Sequence, residues 1–235
     1  MINQLSWKIG GQQGEGVEST DKIFSTALNR LGYYLYGYRH FFFPNQGGHT
    51  NNKIRISTMP IRAISDDLDI LVAFDQETID LNSHELRVGG VIVADAKFNP
   101  TVPEGVNARL FPVPITAIAE EFGSSLFKNM AASGASWALL GLPLEVFNKA
   151  VEEEFGRKGA AVVEKNLAAV KKSRRVRIGT HRRSAVRIPI GPCGRQTEAI
   201  YHRERCDRSG RCSRGLPFYA CLPDYPGFRN YGVLD

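Results

Sequence analysis

The residues with the most evident chemistry are glycines. The stretch Ile9 to Thr20, IGGQQGEGVEST, sets Gly10, Gly11, Gly14 and Gly16 between a β-prone apolar run (Leu5, Trp7, Ile9) and an amphipathic helical pattern. Strand, glycine-rich turn and helix in that order let backbone N–H groups and a helix N-terminus face an anion, because glycine permits close approach and the helix end carries partial positive charge. The order G-G-x-x-G-x-G differs from the dinucleotide fingerprint G-x-G-x-x-G, and a tight βα turn that binds nothing has the same composition. A second pair, Gly47 and Gly48, precedes His49 and Thr50. If both loops end strands, this turn brings backbone donors and a titratable ring beside the first loop. His49 then reads either as a general base or as a loop histidine without catalytic duty. Asp75 and Asp95 each follow an apolar strand. Binding groups of doubly wound sheets collect there, and helix-capping acids do too.

The elements that must position these groups follow from periodicity. Apolar residues Ile23, Phe24, Ala27, Leu28 and Leu31 predict a helix over 16–31, stopped by Gly32. Tyr33 to Tyr38 predicts a second strand. It ends Tyr38-Arg39-His40, without the acid that would bond a ribose, so ordinary NAD binding is disfavoured. Arg39 could meet a 2′-phosphate or simply be a solvated strand-end charge. Strands are predicted over 53–57, 70–74, 91–94 and 108–113, with a short helix over 78–86. Helical patterns then cover 115–122, 126–140, 144–155 and 159–172. The continuous apolar runs 70–74 and 91–94 suit strands buried on both faces of a parallel sheet. Alternating strands and helices through residue 172 predict a doubly wound α/β domain with a mostly parallel, Rossmann-like sheet.

Charge divides the chain in two. Residues 1–172 carry a net −2 and residues 173–235 a net +8, giving the +6 of the whole. The second part has 13 arginines, no lysine and all the cysteines, Cys193, Cys206, Cys212 and Cys221. The first part has no disulfide framework, as a reducing compartment would require. The N-terminus shows no signal-peptide pattern and no apolar run spans a membrane, so a soluble cytoplasmic protein is expected.

With these residues in view, the chain resembles the gamma domain of 2-oxoacid:ferredoxin oxidoreductases. It is most similar to the N-terminal part of an alpha subunit of the 2-oxoglutarate or pyruvate type. The resemblance rests on IGGQQGEGVEST, GYYLYGYRH, GGHTNNKIRIS, SDDLDILVAFDQETID and GGVIVADAKFNP, and covers about residues 4–172. It implies a supporting role in a complex that decarboxylates a 2-oxoacid to an acyl-CoA and passes electrons to ferredoxin. A partner beta subunit would hold thiamine diphosphate, Mg2+ and iron–sulfur ligation. Gly10, Gly11, Gly14, Gly16, Gly47, Gly48 and His49 would line an anion-accepting edge near the CoA or substrate entrance. The nucleophile belongs to the cofactor, so no catalytic residue and no metal ligand is implied here. One segment departs from the family. Phe41-Phe42-Phe43-Pro44-Asn45-Gln46 stands where Phe-Ser-Ser-Arg-Ile-Lys is expected. Two cations are missing, each worth roughly 1.5–3 kcal/mol in a charge-assisted bond.

Residues 173–235 lack sustained periodicity. Three readings compete. One is a nucleic-acid-binding arm on a free-standing nucleotide-binding module, although such arms use lysine as well as arginine. Another is a metal site at His202, Cys206 and Cys212, whose spacing matches no standard zinc pattern. The third is a shifted reading frame. Permitted codons for Arg203 through Tyr231, read one nucleotide later, can encode a run containing Tyr-Pro-Ile-Thr-Pro, the motif opening the pyrimidine-binding domain that follows a gamma domain in this family. Phe42 to Gln46 back-reads to Ser-Ser-Arg-Ile-Lys in the same way, with the frame restored at Gly47. On this reading 1–172 is the gamma domain of a truncated subunit and 173–235 is an unstructured, out-of-frame tail.

Overall fold

The computed structural model describes residues 3–41, 48–124 and 127–176. All of them lie in the first of two units, residues 1–195 and 196–235. Strand β1 (Gln4–Gln12) leads through the glycine-rich turn into helix α1 (Val17–Arg30). Strands β2 (Tyr34–Phe41), β3 (His49–Ser57) and β4 (Leu68–Ala73) follow. Next come α2 (Gln76–Asn82), β5 (Leu86–Asp95) and β6 (Ala108–Val113). Helices α3 (Ile115–Glu121), α4 (Lys128–Leu140), α5 (Leu144–Phe155) and α6 (Ala160–Arg175) complete the described residues.

The six strands form one sheet in the order β2-β3-β1-β4-β5-β6. Its β1, β4, β5 and β6 run parallel, while β3 is antiparallel to both β1 and β2. The α/β fold and the mostly parallel sheet are therefore as expected, with a hairpin, β2-β3, added at one edge. The two faces are unevenly covered. Leu5, Trp7, Ile9, Ile70, Val72, Val91 and Val93 face a large core shared with α1 and α3 to α6. Alternation along β4 and β5 sends Leu71, Ala73, Ile92 and Ala94 to the other face, where Ile79 of α2 covers them. Phe24 anchors the larger core: it stacks on Trp7 at 4.4 Å and meets Trp137 edge-on at 5.2 Å.

Several boundaries differ from the periodic reading: β5 begins at Leu86 rather than residue 91, and α2 ends at Asn82 rather than residue 86. Two others have a packing reason. Strand β3 begins at His49, four residues before the predicted Lys53. His49 to Asn52 is a polar run without strand alternation, but it pairs with β1 on one side, and from Thr50 onward with β2 on the other. The ladder satisfies its backbone whatever the side chains. Helix α6 continues three residues past Lys172. Ser173 is fully buried, and α4 meets this turn at Gly134, where an added Cβ would lie 2.6 Å from the Val170 carbonyl oxygen. Only glycine admits so close a helix–helix approach. The cysteines, His202 and the rest of the arginine-rich tail lie outside the described residues.

Candidate functional site

Strand β1 feeds α1 on one face of the sheet, and its parallel neighbour β4 feeds α2 on the other. The chain therefore parts at the carboxyl ends of β1 and β4, the crevice where open α/β sheets bind ligands. The residues there come from the predicted glycine-rich loop and from three other elements.

Each described glycine of the loop has a different reason to be glycine. A Cβ on Gly10 would lie 2.7 Å from Thr78 Cγ2 and 3.1 Å from His49 Cε1. On Gly11 it would lie 2.7 Å from both Glu15 Oε2 and the Phe74 ring. Gly14 has open space around it but a φ of +97°, which other residues rarely adopt. Gly16 stands at the N-cap position of α1 with φ +83°, and a Cβ on it would lie 2.7 Å from Asn129 Nδ2. No side chain caps α1, so its first N–H groups are served by no capping oxygen.

His49 joins this loop as the sequence suggested, but from a strand. It pairs with Gln12 across β1-β3 and is buried. The neighbouring Gly48 carbonyl accepts from Gln13 N at 3.2 Å, tying the two loops together. Gly47 lies outside the described residues, as do residues 42–46. His49 Nε2 is 2.8 Å from Thr78 Oγ1, and Thr78 Oγ1 donates to Asp75 Oδ1 at 2.6 Å. The hydroxyl's one proton is thus committed to Asp75, so it accepts from Nε2–H and fixes the ring's orientation. Nδ1 is left buried with no partner among the described residues, and Asp75 Oδ2 likewise.

Glu15 closes the loop from within. Its Oε2 accepts from Gln12 N at 3.0 Å and its Oε1 lies 3.4 Å from Lys128 Nζ. Both strand-end aspartates act as caps. Asp75 accepts from Thr78 N at 2.8 Å, and Asp95 accepts from Lys97 N and Thr116 N. Asp75 adds the link to His49; Asp95 sits apart, beside a cavity of about 340 Å3 lined by Lys97, Thr116 and Glu120. Arg39 is already engaged, at 2.7 Å from Glu18 and 3.9 Å from Asp21, so it offers no ready 2′-phosphate site.

Sequence reasoning missed Thr78, Lys128 and Asn129, because their roles depend on non-local placement, and Glu15, whose bond to Gln12 N is local but whose contact with Lys128 is not. It also missed a buried charge cluster on the α2 face of the sheet. Lys8 and Lys53 face each other across β1-β3 and converge on Glu85. Lys8 also donates to Asn82, and Lys53 to the Asp66 carbonyl oxygen. Burial pushes the Lys8 ammonium below its ordinary value, against the pull of Glu85. Burial alone would raise the Glu85 carboxyl; hydrogen bonds from Lys53 and Lys8 hold it low. A lysine in each of two core strands was the available signal. Among the described residues no group of three or more His, Cys, Asp or Glu side chains is arranged to hold a metal, and no helix is long and apolar enough to cross a membrane.

Known proteins place this arrangement. The 2-oxoacid:ferredoxin oxidoreductase subunit alpha of Saccharolobus solfataricus is 35% identical over 105 residues, covering 45% of this chain and 16% of that one. Ketoisovalerate oxidoreductase subunit VorA of Methanothermobacter marburgensis is 29% identical over 169 residues, covering 71% of this chain and 35% of that one. The chain thus spans well under half the length of either relative. Among solved structures, 2-oxoglutarate:ferredoxin oxidoreductase from Magnetococcus marinus, with 2-oxoglutarate, coenzyme A and succinyl-CoA bound, superposes with a TM-score of 0.68 at 26% identity. That match covers 74% of this chain and 31% of that one. The gamma subunit of a keto/oxoacid ferredoxin oxidoreductase from Geobacter sulfurreducens PCA gives 0.61 at 26% identity, over 72% of this chain and 95% of that one. The family model of pyruvate ferredoxin/flavodoxin oxidoreductases matches residues 6–176. The chain belongs to that family.

Proposed function

We propose that residues 6–176 are the gamma domain of a 2-oxoacid:ferredoxin oxidoreductase alpha subunit, and that this domain supports a reaction completed by partner subunits. The observation that carries the reading is the family match across the very residues that build the β1/β4 crevice. The reaction class is oxidative decarboxylation of a 2-oxoacid to an acyl-CoA, with electrons leaving to ferredoxin. Gly10, Gly11, Gly14, Gly16, Gly48 and His49 form the wall that accepts an anionic part of CoA or substrate. The residues fit such a group: α1 carries no side-chain cap and Lys128 lies beside the loop. Thiamine diphosphate, Mg2+ and the iron–sulfur clusters are assigned to the beta subunit, which supplies the carbon-centred nucleophile. This chain's residues bind and orient; they move no proton in the chemical step.

The rival reading, a free-standing nucleotide-binding module with a nucleic-acid arm, finds no support in a chain whose family is oxidoreductase and whose Arg39 is paired. Co-expression with the thiamine-diphosphate subunit of a 2-oxoacid:ferredoxin oxidoreductase from the same genome tests the proposal. A one-to-one complex is expected, with no 2-oxoacid-dependent ferredoxin reduction by the 235-residue chain alone. Ferredoxin reduction by the isolated chain, or no complex with any such subunit, would overturn it.

A further inference from the structure

The buried charge cluster on the α2 face of the sheet is unbalanced. Lys8 and Lys53, each with a side chain only 2% exposed, share one carboxylate, that of Glu85. Two buried positive charges against one negative leave an excess of one, which a dry interior penalises until an anion meets it. Their hydrogen bonds are incomplete as well. An ammonium has three N–H groups. Lys8 gives one to Glu85 and one to Asn82, at 3.0 Å. Lys53 gives one to Glu85, at 2.8 Å, and one to the Asp66 carbonyl oxygen, at 2.9 Å. One N–H of each therefore has no acceptor among the described residues. Burial pushes the Lys8 ammonium down against the pull of Glu85, and the Lys53 charge adds to the push.

Lys53 also lines a cavity of about 510 Å3, the size of a small-molecule site, together with Tyr38, Ile64, Asp66, Glu85 and Leu86. Asp66 is exposed, and its carboxylate has no ion pair or hydrogen bond among the described residues. The acids next to it are matched: Asp67 and Asp69 share Arg87, at 2.9 and 3.6 Å. Burial pushes the Tyr38 hydroxyl up, and the Glu85 and Asp66 charges add to this, which sets both carboxylates near the phenol. The cavity thus has an unmatched cation within and an unmatched anion at its rim. Lys53 Nζ bonds the Asp66 main chain, yet the two side-chain charges form no ion pair, so they sit close but apart.

We propose that this cavity binds a free α-amino acid with an apolar side chain. Its carboxylate takes the spare N–H and the charge of Lys53, and its ammonium meets the Asp66 carboxylate. The two groups hang on one carbon, which suits the short span between those residues. The side chain lies against Ile64, Leu86 and the Tyr38 ring. A 2-oxoacid brings the carboxylate alone, which Asp66 repels, so the substrate class proposed above does not compete here. An amine brings the ammonium alone and leaves the excess charge of Lys8 and Lys53 unmet.

Calorimetric titration of the full 235-residue chain with L-leucine, its 2-oxoacid ketoleucine and its amine isoamylamine tests this, with amide NMR locating the site. The wild type should bind leucine at least about tenfold tighter than either analogue, as one charge-assisted hydrogen bond provides. Shifts should fall at Lys53, Asp66 and Glu85. Asp66→Asn keeps the shape of an exposed side chain and removes its charge; it should weaken leucine about tenfold and strengthen ketoleucine. Lys53→Met should abolish leucine binding with the circular dichroism of the wild type; should it fail to fold, Asp66→Asn decides alone. Ketoleucine bound as tightly as leucine, leucine binding undiminished by Asp66→Asn, shifts confined to other parts of the chain, or no leucine binding at all would each overturn the proposal.

Discussion

Asp21 lies on α1, one turn beyond the uncapped N-terminus, and is buried at 7% exposure. Burial raises its carboxyl from 3.8 to about 6; Arg39 opposes this from 3.9 Å, and the Glu18 charge adds to it. A carboxyl whose folded value exceeds its unfolded one holds its proton more tightly in the folded chain. Well below pH 4 the group is neutral in both states and costs nothing. Between about pH 4 and pH 6 the unfolded chain ionises first and stability falls, levelling off as pH rises through the folded value near 6. A shift of about two units corresponds to roughly 3 kcal/mol at pH 8, as an order of magnitude. Asp21→Asn removes this titration while keeping the shape. Urea unfolding of both proteins between pH 4 and pH 8 should show the variant gaining about 2–3 kcal/mol on the wild type across that range. A stability difference that does not change with pH would refute the reasoning.

Three further outcomes follow from the packing and the sequence. Thr78→Val leaves His49 Nε2 and Asp75 Oδ1 without their shared hydroxyl and should cost about 1–3 kcal/mol in urea unfolding; Thr78→Ser should restore most of it, and an unchanged midpoint for valine would contradict the His49–Thr78–Asp75 link. Gly134→Ala forces a methyl against the Val170 carbonyl and should destabilise by about 1–3 kcal/mol in thermal unfolding, with α6 losing protection first. Sequencing of the locus across codons 41–47 and 170–180 should show single-base shifts, the second falling after codon 176, where the family match ends; an intact frame encoding the same tail in close relatives would contradict this.

The local parts of this fold were legible because they are written in local patterns. The strand, turn and helix around Gly10 to Gly16 follow from glycine spacing and the 3.6-residue stripe, and α5 was bounded correctly at Leu144–Phe155. Its Pro143 start and clean apolar face carry the signal. The antiparallel pairing of β3 was not legible, since His49 to Asn52 shows no alternation and pairing partners are not encoded by neighbours. For the same reason the glycines of the site could be named from the sequence, whereas Thr78 and Lys128 could not. Thr78 looks like an ordinary first-turn residue of α2, and only the register of β1 against β3 and β4 brings it under His49. Nothing local marks Lys8 and Lys53 as partners of Glu85, which lies far from both in sequence and pairs with each in the fold.

The central claim is that the β1/β4 crevice, walled by the glycine-rich loop and His49, is where this chain meets an anionic ligand. Hydrogen–deuterium exchange of the full chain with and without coenzyme A tests it most directly. Slowed exchange confined to residues 10–17 and 48–52 is the predicted result. Slowed exchange instead around Lys53, Asp66 and Glu85, or none anywhere, would contradict it.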